Sequence, residues 1–157
     1  MSEINSPSQQ KISSNNLRYK SLVEKAKKGK VVVRLKGGDP SVFGRVGEEA
    51  LSLAACGIHF EIVPGVSSSV AVPCLAGIPV THRGVADGFV TVTAHKRKEN
   101  ELAGIPAYRE ATTLVLLMPL STIENWQPQL LSLGYPETLP LAFIAKGCSE
   151  ETQVVES

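Results

Sequence analysis

Three short turns carry residue types that bring a backbone close to a ligand: Gly37-Gly38-Asp39, Pro64-Gly65-Val66-Ser67-Ser68 and Ala145-Lys146-Gly147. A fourth turn, Met118-Pro119-Leu120, lacks glycine. Each follows an apolar run that reads as a strand. Ligands of open parallel sheets bind in the crevice beyond the carboxyl ends of the strands. Neighbouring glycines let amides approach a group that a Cβ would exclude. For any one turn the simpler reading is the stronger, that glycine only permits the bend; several such turns in register favour a ligand site. Neither GxGxxG nor GxxxxGK[ST] occurs, so the dinucleotide and P-loop signatures are absent. An anionic Asp39 at the centre of a turn repels phosphate and suits a ligand with cationic groups and hydroxyls. S-adenosylmethionine, with its ammonium, sulfonium and ribose, has that chemistry. Its use requires chiefly that an acceptor carbon be held in line with the methyl group.

The elements that must hold these turns follow from periodicity and punctuation. Leu17, Leu22, Val23 and Ala26 recur at helical spacing, lysines gather at the end, and Gly29 stops the helix. The run 31–35 is β-branched and reads as a buried strand. A helix is expected over 46–56, with Glu48 and Glu49 in its first turn and Gly57 as its stop. Residues 60–63 read as a strand ended by Pro64-Gly65. Ser67, Ser68 or Ser69 caps a helix that runs to Leu75. Strands are expected over 89–93, 113–118 and 141–145, and a helix over 123–133. Helix and strand alternate, the pattern of a parallel α/β architecture. No repeat of fixed period occurs.

Composition narrows the function classes. The chain has 157 residues, a formal net charge of +1, 43% hydrophobic and 20% charged residues. That balance excludes a disordered chain and argues against a dedicated nucleic-acid binder, which needs a phosphate-neutralising field. The apolar runs fall far short of the ~20 residues of a membrane span, and no secretory signal follows the first methionine. Cys56, Cys74 and Cys148 form no CxxC or Cys/His cluster, so neither disulfides nor a metal site is indicated. Their small and apolar neighbours suggest buried, reduced thiols and a cytoplasmic setting. His82 and His95 are weak candidates for substrate contact and more naturally structural hydrogen-bonders; His59 has no assigned role.

Several blocks together carry a specific resemblance. Val32-Val33-Arg34-Leu35-Lys36-Gly37-Gly38-Asp39-Pro40, then Val42-Phe43-Gly44-Arg45 and Gly47-Glu48-Glu49, resemble the tetrapyrrole methylase family. Val63-Pro64-Gly65-Val66-Ser67-Ser68 and Ala76-Gly77-Ile78-Pro79-Val80-Thr81-His82-Arg83 continue the match in order. The resemblance implies two α/β subdomains of the tetrapyrrole methylase type that clasp S-adenosylmethionine, and a homodimer. It implies methylation of ring carbons of uroporphyrinogen III to give precorrin-2, on the way to siroheme or cobalamin. By the same resemblance Gly37, Gly38, Asp39, Val42, Ser67, Ser68, Met118 and Gly147 bind the methyl donor. Arg45 and Arg83 are candidates for the carboxylates of the acceptor, as charge-assisted partners.

The sequence departs from the family at both ends. The expected organisation is a polar, flexible leader over 1–16, a partial first subdomain over 17–83 and a partial second over 84–157. The family's opening strand and glycine-proline-glycine turn have no counterpart, so the N-terminal subdomain is expected to be incomplete and both ends truncated. Ser41 stands where an aromatic is common and Val46 where glycine is frequent. No acid-base residue is identified. Two classes of function stay open: a methyltransferase, and a non-catalytic remnant that binds donor or a full-length subunit without turnover.

Overall fold

A computed structural model of the protein describes residues 17–95 and 104–157. The expected leader over 1–16 and the charged stretch 96–100 lie outside the described residues. The chain divides into two compact units, Met1–Gly65 and Val66–Ser157.

In the first unit, α1 (Leu17–Lys27) packs on α2 (Val46–Ala54). Glu48 and Glu49 occupy the first turn of α2 and Lys25 and Lys27 the last turn of α1, each charge facing the favourable end of its helix dipole. Residues 31–35 and 60–63, expected as strands, enter no sheet. Val31 is 96%, Val33 73%, Leu35 80% and Val63 70% exposed. A β-branched run forms a strand only where a neighbour completes its hydrogen-bond ladder. Among the described residues none does so.

The second unit opens with α3 (Ser68–Leu75), capped by the Ser67 hydroxyl, which accepts from the Ser69 amide at 3.2 Å. Next come β1 (Gly88–Thr93) and β2 (Thr112–Leu117), paired in parallel from Gly88↔Thr112 to Thr93↔Leu117. A 3₁₀ turn (Leu120–Thr122) leads into α4 (Ile123–Ser132). β3 (Ala142–Ala145) then pairs antiparallel with β4 (Gln153–Glu156), a strand not expected from the sequence. Ala94, Ile105 and Trp126 form the buried centre, with Val92, Leu114, Leu116, Leu130 and Phe143 packed around them.

The four α-helices among the described residues end alike. A glycine of φ 67–85° follows each, and the next amide reaches back five residues: Lys30 to Lys25, Ile58 to Leu53, Ile78 to Pro73 and Tyr135 to Leu130. This closure satisfies carbonyls the helix leaves open. The architecture is α/β, as the alternation of elements indicates. The cysteines correct the expectation of burial: Cys56, Cys74 and Cys148 are all exposed and unpaired by disulfide, because each falls at or near a helix end or turn rather than on an inward face. Among the described residues no helix is long and apolar enough to cross a membrane.

Candidate functional site

In the first unit the Gly37-Gly38-Asp39 turn meets the Pro64-Gly65 turn directly. Asp39 Oδ2 accepts the Gly65 amide at 3.1 Å. Its Oδ1 accepts the Ser41 amide at 2.8 Å and the Ser41 hydroxyl. These donors, the Ser41 hydroxyl first, then the Gly65 and Ser41 amides, hold the Asp39 carboxyl below its ordinary value. The approach tolerates no side chain: a Cβ on Gly65 would lie 2.8 Å from the Gly38 carbonyl oxygen. Gly38 itself has φ 143°, where glycine is favoured. Val42 closes the turn, its amide donating to the Asp39 carbonyl at 3.4 Å.

The loop then bends through Phe43 (φ 52°) and Arg45 (φ 57°), on either side of Gly44. A Cβ on Gly44 would lie 2.3 Å from the Pro40 carbonyl oxygen. Arg45 grips Glu48 with both ends of its guanidinium, Nε to Oε1 at 3.0 Å and Nη2 to Oε2 at 2.5 Å.

In the second unit the candidate residues ride on elements that touch. Ser67 caps α3 and Ser68 begins it, and α3 contacts β2, which is followed directly by Met118. Met118 is 51% exposed and has φ 57°. The turn after it is fixed, because the Pro119 carbonyl accepts both the Trp126 indole N–H at 2.9 Å and the Thr122 hydroxyl at 3.3 Å. Gly147 sits against α3: a Cβ there would lie 2.5 Å from Val72 Cγ1. Lys146 (φ 51°) and Cys148 (φ 65°) flank it. The Lys146 carbonyl accepts the Ser149 hydroxyl at 2.7 Å and the Thr152 hydroxyl at 3.1 Å. Arg83 is exposed and its guanidinium has no hydrogen-bond or ion-pair partner among the described residues. His82 Nδ1 lies 3.0 Å from the Arg83 carbonyl, a local turn contact.

Left-handed non-glycine residues cost about 1–2 kcal/mol each, and such strain gathers at ligand clamps and switches. Among the described residues, all of them except Ala111 lie in these candidate loops: Phe43, Arg45, Met118, Lys146 and Cys148. The sequence does not announce the Asp39–Gly65 tie or the buried Glu49, since both depend on contacts between residues far apart in the chain. Among the described residues no group of three or more His, Cys, Asp or Glu is placed to hold a metal ion.

Comparison with known proteins gives consistent matches. The family model of the Tetrapyrrole (Corrin/Porphyrin) Methylases matches residues 3–157. A uroporphyrinogen-III C-methyltransferase of Methanocaldococcus jannaschii is 45% identical over 139 residues, covering 87% of this chain and 57% of that protein. A solved uroporphyrin-III-C-methyltransferase from Thermus thermophilus superposes with a TM-score of 0.78 at 43% identity, over 90% of this chain and 60% of that one. A Thermus thermophilus structure of this enzyme type complexed with S-adenyl homocysteine has a TM-score of 0.74 at 38% identity, over 88% and 59%. The chain therefore spans between one half and two thirds of the length of these relatives.

Proposed function

The chain belongs to the tetrapyrrole (corrin/porphyrin) methylase family, and from that premise we propose that it binds S-adenosylmethionine and directs its methyl group to ring carbons of uroporphyrinogen III. The observation that carries this reading is the Gly38–Gly65 approach, where two glycine turns meet with no room for a Cβ between them. Gly37 beside it faces open space, with nothing within 4 Å of where a Cβ would stand, so a ligand can approach its backbone. The relative solved with S-adenyl homocysteine supports the donor's identity.

S-adenosylmethionine supplies the methyl group, its bonding pair remaining on sulfur. On the family resemblance, Gly37, Gly38, Asp39, Val42, Ser67, Ser68, Met118 and Gly147 are the residues we assign to the donor. Their task is orientation, since in-line transfer depends mainly on placement. Arg45 and Arg83 are assigned to acceptor carboxylates. Arg83 is exposed with its guanidinium open, and Arg45 would exchange Glu48 for an acceptor carboxylate. Homodimeric assembly and a cytoplasmic setting belong to the same reading, on the strength of the family resemblance. The net charge of +1 argues against a nucleic-acid partner.

A second reading is donor binding without turnover. The exposed runs 31–35 and 60–63 favour it, because the turns they lead into are not braced by a sheet. One experiment separates the two. Calorimetry with S-adenosylhomocysteine reports donor binding, and an anaerobic assay with S-adenosylmethionine and uroporphyrinogen III follows precorrin-2 by absorbance. Binding with product supports the enzyme; binding without product supports the second reading; no binding sinks both.

A further inference from the structure

Glu49 is the one buried charged residue among the described ones, 8% exposed. Its two oxygens are divided between two cations on the segment that leads into the glycine turn. Arg34 Nε lies 3.3 Å from Oε1 and Lys36 Nζ 2.9 Å from Oε2. Lys36 Nζ also donates to the Gly44 carbonyl. Lys36 stands immediately before Gly37 and Gly44 immediately before Arg45. A single ammonium therefore ties the start of the loop 37–44 to its end, and a carboxylate from α2 fixes that ammonium in place.

We propose that Lys36 and Glu49 form a latch at the neck of the loop 37–44 and act as positioning residues for donor binding, without touching the donor themselves. This rests on the donor-binding reading above. The physical case is one of partition. Lys36 and Glu49 side chains are only 15% and 10% exposed, so their attraction is weakly screened. Removing Glu49 leaves the Lys36 ammonium without a carboxylate at a site poor in water, and removing Lys36 leaves Glu49 with Arg34 alone. The loop it closes is compact, since Gly44 has no space for a Cβ against Pro40. It also holds the Asp39 carboxylate that reaches Gly65. With the neck open, the loop samples other conformations, and apparent affinity falls by the fraction of time spent in the competent one.

The test uses the full 157-residue chain and the variants Lys36→Met, Glu49→Gln and the double variant. Two measurements are made on each: hydrogen exchange of the Ser41, Val42 and Gly65 amides without ligand, and calorimetry with S-adenosylhomocysteine. The single variants should exchange faster at these amides and bind about tenfold more weakly, as a loop competent about one tenth of the time would. In the double variant no unpaired Lys36 or Glu49 charge remains, so its melting temperature should recover towards wild type. Its amides should still exchange fast and its affinity stay low, because the tie to Gly44 is gone. A purely structural pair would instead restore affinity together with melting temperature, which overturns the proposal. Unchanged exchange in all three variants also overturns it. Absence of binding by the wild-type chain defeats the donor reading alone; the latch is then judged by exchange, where faster amides in the variants support it. Should Glu49→Gln fail to fold, Lys36→Met, whose unbranched chain fills the same space, carries the test.

Discussion

Asp39 draws its negative charge into the protein rather than offering it freely to a ligand. Three protein donors occupy its oxygens, and they depress its pKa from the ordinary 3.8. The folded value lies below the unfolded one, so the tie to Gly65 is complete above pH 3.8. It is lost as the pH falls below that point through the folded value. The Gly65 amide should therefore stay protected through mild acid and lose protection below the ordinary carboxylate range, a course that amide spectra recorded on descending pH would follow. In Asp39→Asn the pH step should vanish. Met118 presents the opposite situation: an exposed side chain held at φ 57° by a turn that Trp126 and Thr122 fasten. Nothing in packing requires methionine there. Met118→Gly should raise stability by about 0.5–1 kcal/mol, the relief of left-handed strain less the added freedom of the unfolded chain. The same change should weaken S-adenosylhomocysteine binding. A variant both more stable and equal in affinity would show that Met118 has no part in the donor site. The glycines and Met118 were legible in the sequence because turn chemistry is local. The tie of Asp39 to Gly65 and the two cations on Glu49 were not, since neighbours 13 to 26 residues away are set by the fold.

Elements repeat that division between local and distant information. Helices α1 to α4 fall within a residue or two of the periodic segments, each closed by the glycine that the sequence places after it. Strands β1, β2 and β3 also lie where β-branched runs indicated. Strand β4 escaped notice because Gln153-Val154-Val155-Glu156 is four residues long, and only pairing with Ala142–Ala145 defines it. Runs 31–35 and 60–63 erred in the other direction, since hydrophobic pattern reports what a segment could bury and not whether a ladder neighbour is present. Gly147 shows how a site residue can also be an element's packing residue. Adding a methyl group there drives it into the branched, stiff Val72 of α3. Gly147→Ala should cost about 1–3 kcal/mol by overpacking, read as a lowered denaturation midpoint. Val72→Ala in the same chain makes room and should recover part of that loss. If the double variant were no more stable than Gly147→Ala alone, the clash with Val72 would not be the cause.

At the scale of the whole molecule, composition describes a balanced globular chain with 43% hydrophobic residues, yet it cannot say where those residues face. In the first unit a continuous apolar run ends up outside. Val31 is 96%, Val33 73% and Leu35 80% exposed, and Ile62 and Val63 are 46% and 70% exposed. Such runs are typical of parallel strands covered on both faces. Left open, they present unpaired backbone groups beside apolar side chains, the combination that recruits another chain. Covering one valine or leucine is worth about 1.5–3 kcal/mol, so a contact over a few of them is enough to hold copies together at micromolar concentration. The purified chain should therefore associate as its concentration rises, with sedimentation velocity showing growing weight-average mass. A lysine on such an edge opposes pairing by charge and by its solvation. Val31→Lys with Val33→Lys should shift the association to at least tenfold higher concentration, a difference of about 1.4 kcal/mol. The melting temperature should hardly change, because neither side chain is packed in the folded unit. Association that persists undiminished in the lysine variant would place the contact on another surface, and a wild-type chain that stays monomeric would mean that exposure alone does not drive pairing.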